Sequence, residues 1–228
     1  RYASGSNNVS VGYEAGRGSI TSAPYSTGTN NTFLGYSAGK DFTTGFNNVI
    51  LGYNAGQNIT TAYRTVAIGS QALETDTTGH TNVAIGYDTM RLGTGATNTV
   101  AVGQAALEYF SRSNNTSTHT TAIGDTAGKY TTGSYNTFVG SAAGQGGQTS
   151  APYSSGTNNV SVGYQALKGF TTGHSNVAVG KGALTALTTG DATTAVGLSA
   201  GSNVTTGRFN TFFGWNAGGN SNASHVVA

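Results

Sequence analysis

A short apolar signal returns along this chain at a nearly constant interval. It reads Val or Thr, one uncharged residue, then Val, Ile, Leu or Phe, and a Gly closes it: "NVSVG" at Gly12, "NTFLG" at Gly35, "NVILG" at Gly52. Nine more copies close at Gly69, Gly86, Gly103, Gly124, Gly140, Gly163, Gly180, Gly197 and Gly214. Successive closing positions differ by 23, 17, 17, 17, 17, 21, 16, 23, 17, 17 and 17, so the period is 17 with a few insertions. Taking each of these Gly residues as position 0, position −4 is Asn or Thr throughout, +3 is Ala in eleven of the twelve copies (Thr89 is the exception), and −7 is usually Gly, often inside "TTG".

This pattern excludes helix, because each interior Gly costs about 1 kcal/mol relative to Ala. The segment before the closing Gly reads as a short β-branched strand. The closing Gly and "TTG" mark turns. A weaker second strand is expected near +7, where Phe42, Ile59, Phe110, Phe170, Leu187 and Val204 recur. Two short strands and two turns per period make one coil of an all-β solenoid or β-roll, with 1–228 as a single repeat domain of twelve coils. Stacked coils repeat at about 4.8 Å, which predicts a rod roughly 55 Å long. The Asn/Thr column should hydrogen-bond from coil to coil.

Side chains alternate across a strand, so −3 and −1 share a face. That face is expected to line the coil interior. The residue between them (among others Ala101, Ala178, Phe33 and Phe138) should then point outward. None of the 18 charged residues falls in the four positions before any closing Gly, so both faces read as covered, the outer one by another copy of the chain. Charges collect at +5 instead (Arg17, Lys40, Glu74, Arg91, Glu108, Lys129, Lys168), which is expected to be the solvent corner.

Composition narrows the picture. Gly is 36 of 228 residues, charged residues are 8%, and there are 12 Tyr and 9 Phe, which suits an ordered repetitive β structure better than disorder. A net charge of +2 gives no case for nucleic acid or an anionic membrane, and no apolar run is long enough to insert in a bilayer. There is no Cys, hence no disulfide. The chain opens on Arg1 without a signal-peptide pattern and is read as a piece of a longer protein.

"NVAIGYDTM", "TVAIGSQAL", "NTVAVGQAAL" and "TTAIGDTAG" resemble the YadA-like head repeat of trimeric autotransporter adhesins. "NTFLGYSAGKDFTTGFNNVILGYNAG" is similar to repeats of phage tail fibres. The resemblance covers essentially the whole chain. It implies a left-handed parallel β-roll, assembly as a homotrimer, an extracellular, cell-surface or virion-surface location, and a role in attachment. The period of 17 here departs from the shorter adhesin period. The resemblance names no ligand residue.

Chemistry is sparse. The two carboxylates nearest in sequence, the candidate pair for hydrolysis, are Glu74 and Asp76, and they are expected at an outer corner. His80 and His174 share a turn position several coils apart and read as exposed. No nucleophile triad, phosphate-binding loop or metal motif is present, so no enzyme activity, cofactor or metal is expected. Aromatic residues follow the closing Gly in six coils, including Tyr13, Tyr36 and Tyr53, and stacked along a rod they are candidate sugar-binding residues. "TSAPYSTGTNN" (21–31) returns as "TSAPYSSGTNN" (149–159) inside the two longest intervals. This reads as a duplicated block of seven coils that carries two equivalent surface loops, with Tyr25 and Tyr153 at their tips. A third bulge before Gly124 holds Tyr109 and Arg112. The expected function is a non-enzymatic fibre segment that presents loops to a cell-surface glycan or protein receptor, or spaces a tip domain. An ice-binding solenoid and a depolymerising tailspike are the alternatives.

Overall fold

The computed structural model describes residues 4–18, 26–110, 119–147, 153–218 and 222–228. The described residues contain no helix. The chain forms two compact units, Arg1–Thr118 and His119–Ala228. Unit 1 holds β1 (Val9–Val11), β2 (Thr32–Leu34), β3 (Val49–Leu51), β4 (Val66–Ile68), β5 (Val83–Ile85) and β6 (Val100–Val102). Unit 2 holds β7 (Thr121–Ile123), β8 (Thr137–Val139), β9 (Val160–Val162), β10 (Val177–Val179), β11 (Thr194–Val196) and β12 (Thr211–Phe213). Within each unit consecutive strands pair in parallel, and like repeat positions face one another: Val49 with Val66, Ile50 with Ala67, Leu51 with Ile68; Val177 with Thr194, Ala178 with Ala195, Val179 with Val196. This is the expected β-solenoid.

The Asn/Thr column forms the predicted ladder. Oδ1 of Asn31 accepts from the backbone N–H and from Nδ2 of Asn48, both at 3.0 Å, and Nδ2 of Asn48 also donates to the Ala62 carbonyl at 2.8 Å. Unit 2 repeats this at Asn159 and Asn176, at 3.0 and 3.1 Å. Each buried Asn thus ties its own strand to the next coil and closes the turn beside it, leaving its amide satisfied.

The faces of the strands are the reverse of expectation. The middle residue of the strand lies in the core: Phe33, Ile50, Ala67, Ala84, Ala101, Ala122, Phe138, Ala178, Ala195 and Phe212 are all 0–1% exposed. Positions −3 and −1 face outward, so Ala101 and Ala178 are core residues, not seam residues. Period-2 alternation groups side chains by face but does not say which face is enclosed. Volume decides it. Each coil closes around −2, +3, +4 and +7, and −2 and +4 compensate one another within most coils; beside Ala195, Gly201 instead makes room for Leu184 and Phe212 of the adjacent coils. Where −2 is Phe, +4 is Gly (Phe33 with Gly39, Phe138 with Gly144, Phe212 with Gly218); where −2 is Ala in β4, β5, β6 and β10, +4 is Leu73, Met90, Leu107 or Leu184, each fully buried. A Cβ on Gly39 would lie 2.1 Å from the Phe33 ring, and one on Gly144 would lie 2.1 Å from Phe138.

The second strand is also not observed. Phe42, Ile59, Phe110, Phe170, Leu187 and Val204 are buried, but they lie at the end of a run of turns and not in a strand. Positions +2 and +4 in this run have positive φ, for example Gln71 at 59° and Leu73 at 52°, and N–H groups bond back across one turn, as Ala72 does to Gly69 and Glu74 to Gln71. Beyond the named strands, the described residues form only isolated bridges, such as Phe46 with Tyr63.

Candidate functional surfaces

The strand faces that point outward are apolar. In unit 1, Val9 and Val11 are each 56% exposed and Leu34 is 46% exposed; in unit 2, Phe213 is 76% exposed. The aromatic column at +1 borders this face. Tyr13, Tyr36 and Tyr53 come together there: Tyr13 and Tyr36 stack at 5.0 Å, and Tyr36 and Tyr53 at 5.4 Å. Because the rings stack on one another, they present mainly edges and hydroxyls outward, less ring face than a sugar platform offers. Trp215 takes the same column in unit 2.

The loop residues divide. Tyr25 and Arg112 lie outside the described residues. Tyr109 is half-buried at the end of the coil of β6. Tyr153 is half-buried rather than a free tip, with its ring parallel to that of Tyr130 at 6.4 Å. Lys129 Nζ lies over the Tyr130 ring at 5.4 Å. The duplicated words do return to the coil in the same way. The Ser26 hydroxyl donates to the Phe42 carbonyl and the Ser154 hydroxyl to the Phe170 carbonyl, and Thr27 and Ser155 donate their amides to Thr43 and Thr171, each at 2.8 Å.

In unit 1 the +5 corner is a chain of ion pairs more than a free solvent edge. Arg17 contacts Glu14 at 2.6 Å and Asp41 at 3.3 Å, Lys40 contacts Glu14 at 3.5 Å, and Arg91 lies 3.1 Å from Asp88 and 2.8 Å from Glu108. Glu108 is itself buried, at 4% exposure. The cause is local: +5 closes the last turn before the buried side chain at +7, so its own side chain lies along the stack of coils.

Asp76 is likewise not at an outer corner. It occupies the +7 core position, 1% exposed, and its Oδ1 accepts the amides of Gly79 and Gly95 at 2.9 Å each. The next coil has Gly93 at +7, which leaves room for a polar group there. Burial raises the carboxyl above its ordinary value, against the opposing pull of four backbone amides. A carboxyl with a raised folded-state pKa takes up a proton more readily folded than unfolded. Asp76 therefore adds stability as pH falls from above its folded pKa toward the ordinary value of 3.8. Subtraction isolates the effect: the melting temperature of the native chain minus that of Asp76→Asn should grow from pH 7 to pH 4. A constant difference would show that the amides hold Asp76 as an anion throughout.

Sequence reasoning missed a second ring stack, at −6. Phe46 and Tyr63 stack at 5.1 Å with 6° between planes, and Tyr63 and His80 at 4.4 Å with 12°. The regular interval of 17 from Phe46 to Tyr63 to His80 was the available signal. His80 is thus half-buried against a tyrosine, whereas His174 is exposed as expected. Comparison of the chain with family models, curated proteins and solved structures returned no match.

Proposed function

We infer that the chain is a non-enzymatic segment of a homotrimeric surface or tail fibre, which holds attachment loops or a tip at a fixed distance from an extracellular or virion surface. The observation that carries this reading is the outward strand face: Val, Ile, Leu, Phe and Thr at −3 and −1, bordered by Tyr and Trp, with no charge. Contiguous exposed apolar surface marks an interaction site. A second copy of the same chain is the occupant this face suits, because the face repeats coil for coil within each unit and a copy presents the same spacing. The repeat's resemblance to adhesin heads and tail fibres supports three copies. The two matching loop junctions, Ser26 with Phe42 and Ser154 with Phe170, support loops carried on a scaffold that their insertion leaves undisturbed.

The alternatives receive less support. In the "TTG" pairs the first Thr donates to the next coil, Thr43 to Thr60 and Thr60 to Thr77, so only one narrow rank of hydroxyls faces out, less than an ice-ordering plane needs. The buried Asp76 and the ion-paired acids of the +5 corner give a depolymerase no free carboxylate pair among the described residues of unit 1. Light scattering at micromolar concentration tests the assembly. A mass three times that of the single chain is expected, and a monomer would overturn the reading.

A further inference from the structure

The geometry points to a binding site for a carboxylated saccharide on unit 1, built by Arg64 beside the Phe46–Tyr63–His80 ring stack. The inference deepens the attachment reading, on which it rests, by naming a ligand class and the residues that would hold it. Arg17, Lys40 and Arg91 are ion-paired, but Arg64 is exposed and pairs with no carboxylate among the described residues. Its guanidinium carbon lies 5.9 Å from the centre of the Tyr63 ring, so the side chain rests against the stack. The rings are held in place by the backbone. The Arg64 amide donates to the Phe46 carbonyl at 3.0 Å, and the Thr81 amide to the Tyr63 carbonyl at 2.9 Å. Thr44, Thr61 and Thr78 each stand just before the turn Gly or Ala that leads into a ring, and all three are exposed. A cation without a carboxylate partner, ring edges and a rank of hydroxyls thus lie together on one side of the coils.

The backbone holds Arg64 where a ligand can reach it. Position −5 is left-handed in every coil of unit 1, with φ between 51° and 60°, and its side chains are exposed. Asn fills it at Asn7, Asn30, Asn47 and Asn98, but Thr81, His119, Tyr135 and Phe209 take it as well, so the turn accepts a large side chain and keeps it out of the core. Arg64, at φ 54°, is the guanidinium in this position. A carboxylate matches the guanidinium's paired donors. The rank of exposed hydroxyls at Thr44, Thr61 and Thr78 suits the hydroxyl pattern of a sugar. An extended peptide finds no free amide edge here, because the amides of Asn47, Arg64 and Thr81 are already bonded to the neighbouring coil.

The test is calorimetric titration of the purified chain with an oligogalacturonate, a neutral galactose oligomer and a polyglutamate peptide. The uronate should bind and the other two should not. Arg64→Asn should lower the uronate affinity by about tenfold or more, the usual worth of a charge-assisted hydrogen bond, while the melting temperature stays level or rises. Arg64→Lys should fall between, having the charge without the fork. No uronate binding, equal binding of the neutral oligomer, or full affinity in Arg64→Asn would each overturn the site. Polyglutamate binding as tightly as the uronate would replace the saccharide with an acidic protein. Scattering on the same samples keeps the two readings apart: a monomer with Arg64-dependent uronate binding sinks the fibre and leaves the site, and a trimer indifferent to uronate does the reverse.

Discussion

Gly180→Ala should cost unit 2 far more stability than Gly214→Ala, although both residues close a coil and both have positive φ, 129° and 121°. A Cβ at position 180 would lie 2.4 Å from the carbonyl oxygen of Gly197 and 2.7 Å from its carbonyl carbon. Those are backbone atoms, so no side chain can rotate away. Relief requires the coils to separate, which strains the bond from the Gly197 amide to the Val179 carbonyl, now 2.8 Å. At Gly214 the added carbon meets nothing within 4 Å. Both variants carry the strain of a non-glycine residue at positive φ, about 1–3 kcal/mol. Only Gly180→Ala adds overpacking, roughly another 1–3 kcal/mol. Denaturant unfolding of the two variants reads the difference directly. Equal losses would mean that backbone conformation alone, and not the approach of the next coil, demands glycine in this column.

The second large effect follows from the inverted faces. Ala178→Asp should unfold unit 2, and Val162→Asp should leave it folded but keep copies of the chain apart. Ala178 is 0% exposed, with Ser161 and Ala195 beside it in the paired strands, both buried. A carboxylate there meets no cation, and an unpaired buried charge costs several kcal/mol. Ser161 shows how few partners the column offers a polar group: its hydroxyl is buried and finds no hydrogen-bond partner among the described residues. Val162 is 37% exposed on the outward face. A charge there stays hydrated in the single chain and is buried only on association. Circular dichroism with light scattering separates the cases. A folded, dispersed Ala178→Asp chain would return the middle column to the surface, and an associated Val162→Asp chain would remove the outward face from the interface.

The sequence alone determined whatever repeats locally. The period, the strand before each closing Gly and the Asn ladder were legible because each is a constraint that a coil imposes on its neighbour at fixed spacing. An Asn at −4 can satisfy its amide only by bonding along the stack, and that is visible without coordinates. The tertiary structure decided what depends on enclosed volume and on neighbours out of register. Alternation cannot tell inside from outside for a strand with two uncharged faces. The trade of Phe33 for Gly39 against Ala101 for Leu107 settles it, because one coil can hold only so much side chain. The same trade puts Asp76 into the core opposite Gly93, where a reading of charge alone placed it at the surface. The contact of Arg64 with the Phe46–Tyr63–His80 stack needed the coordinates, because the interval of 17 aligns the rings at −6 but does not say where a neighbouring side chain at −5 comes to rest.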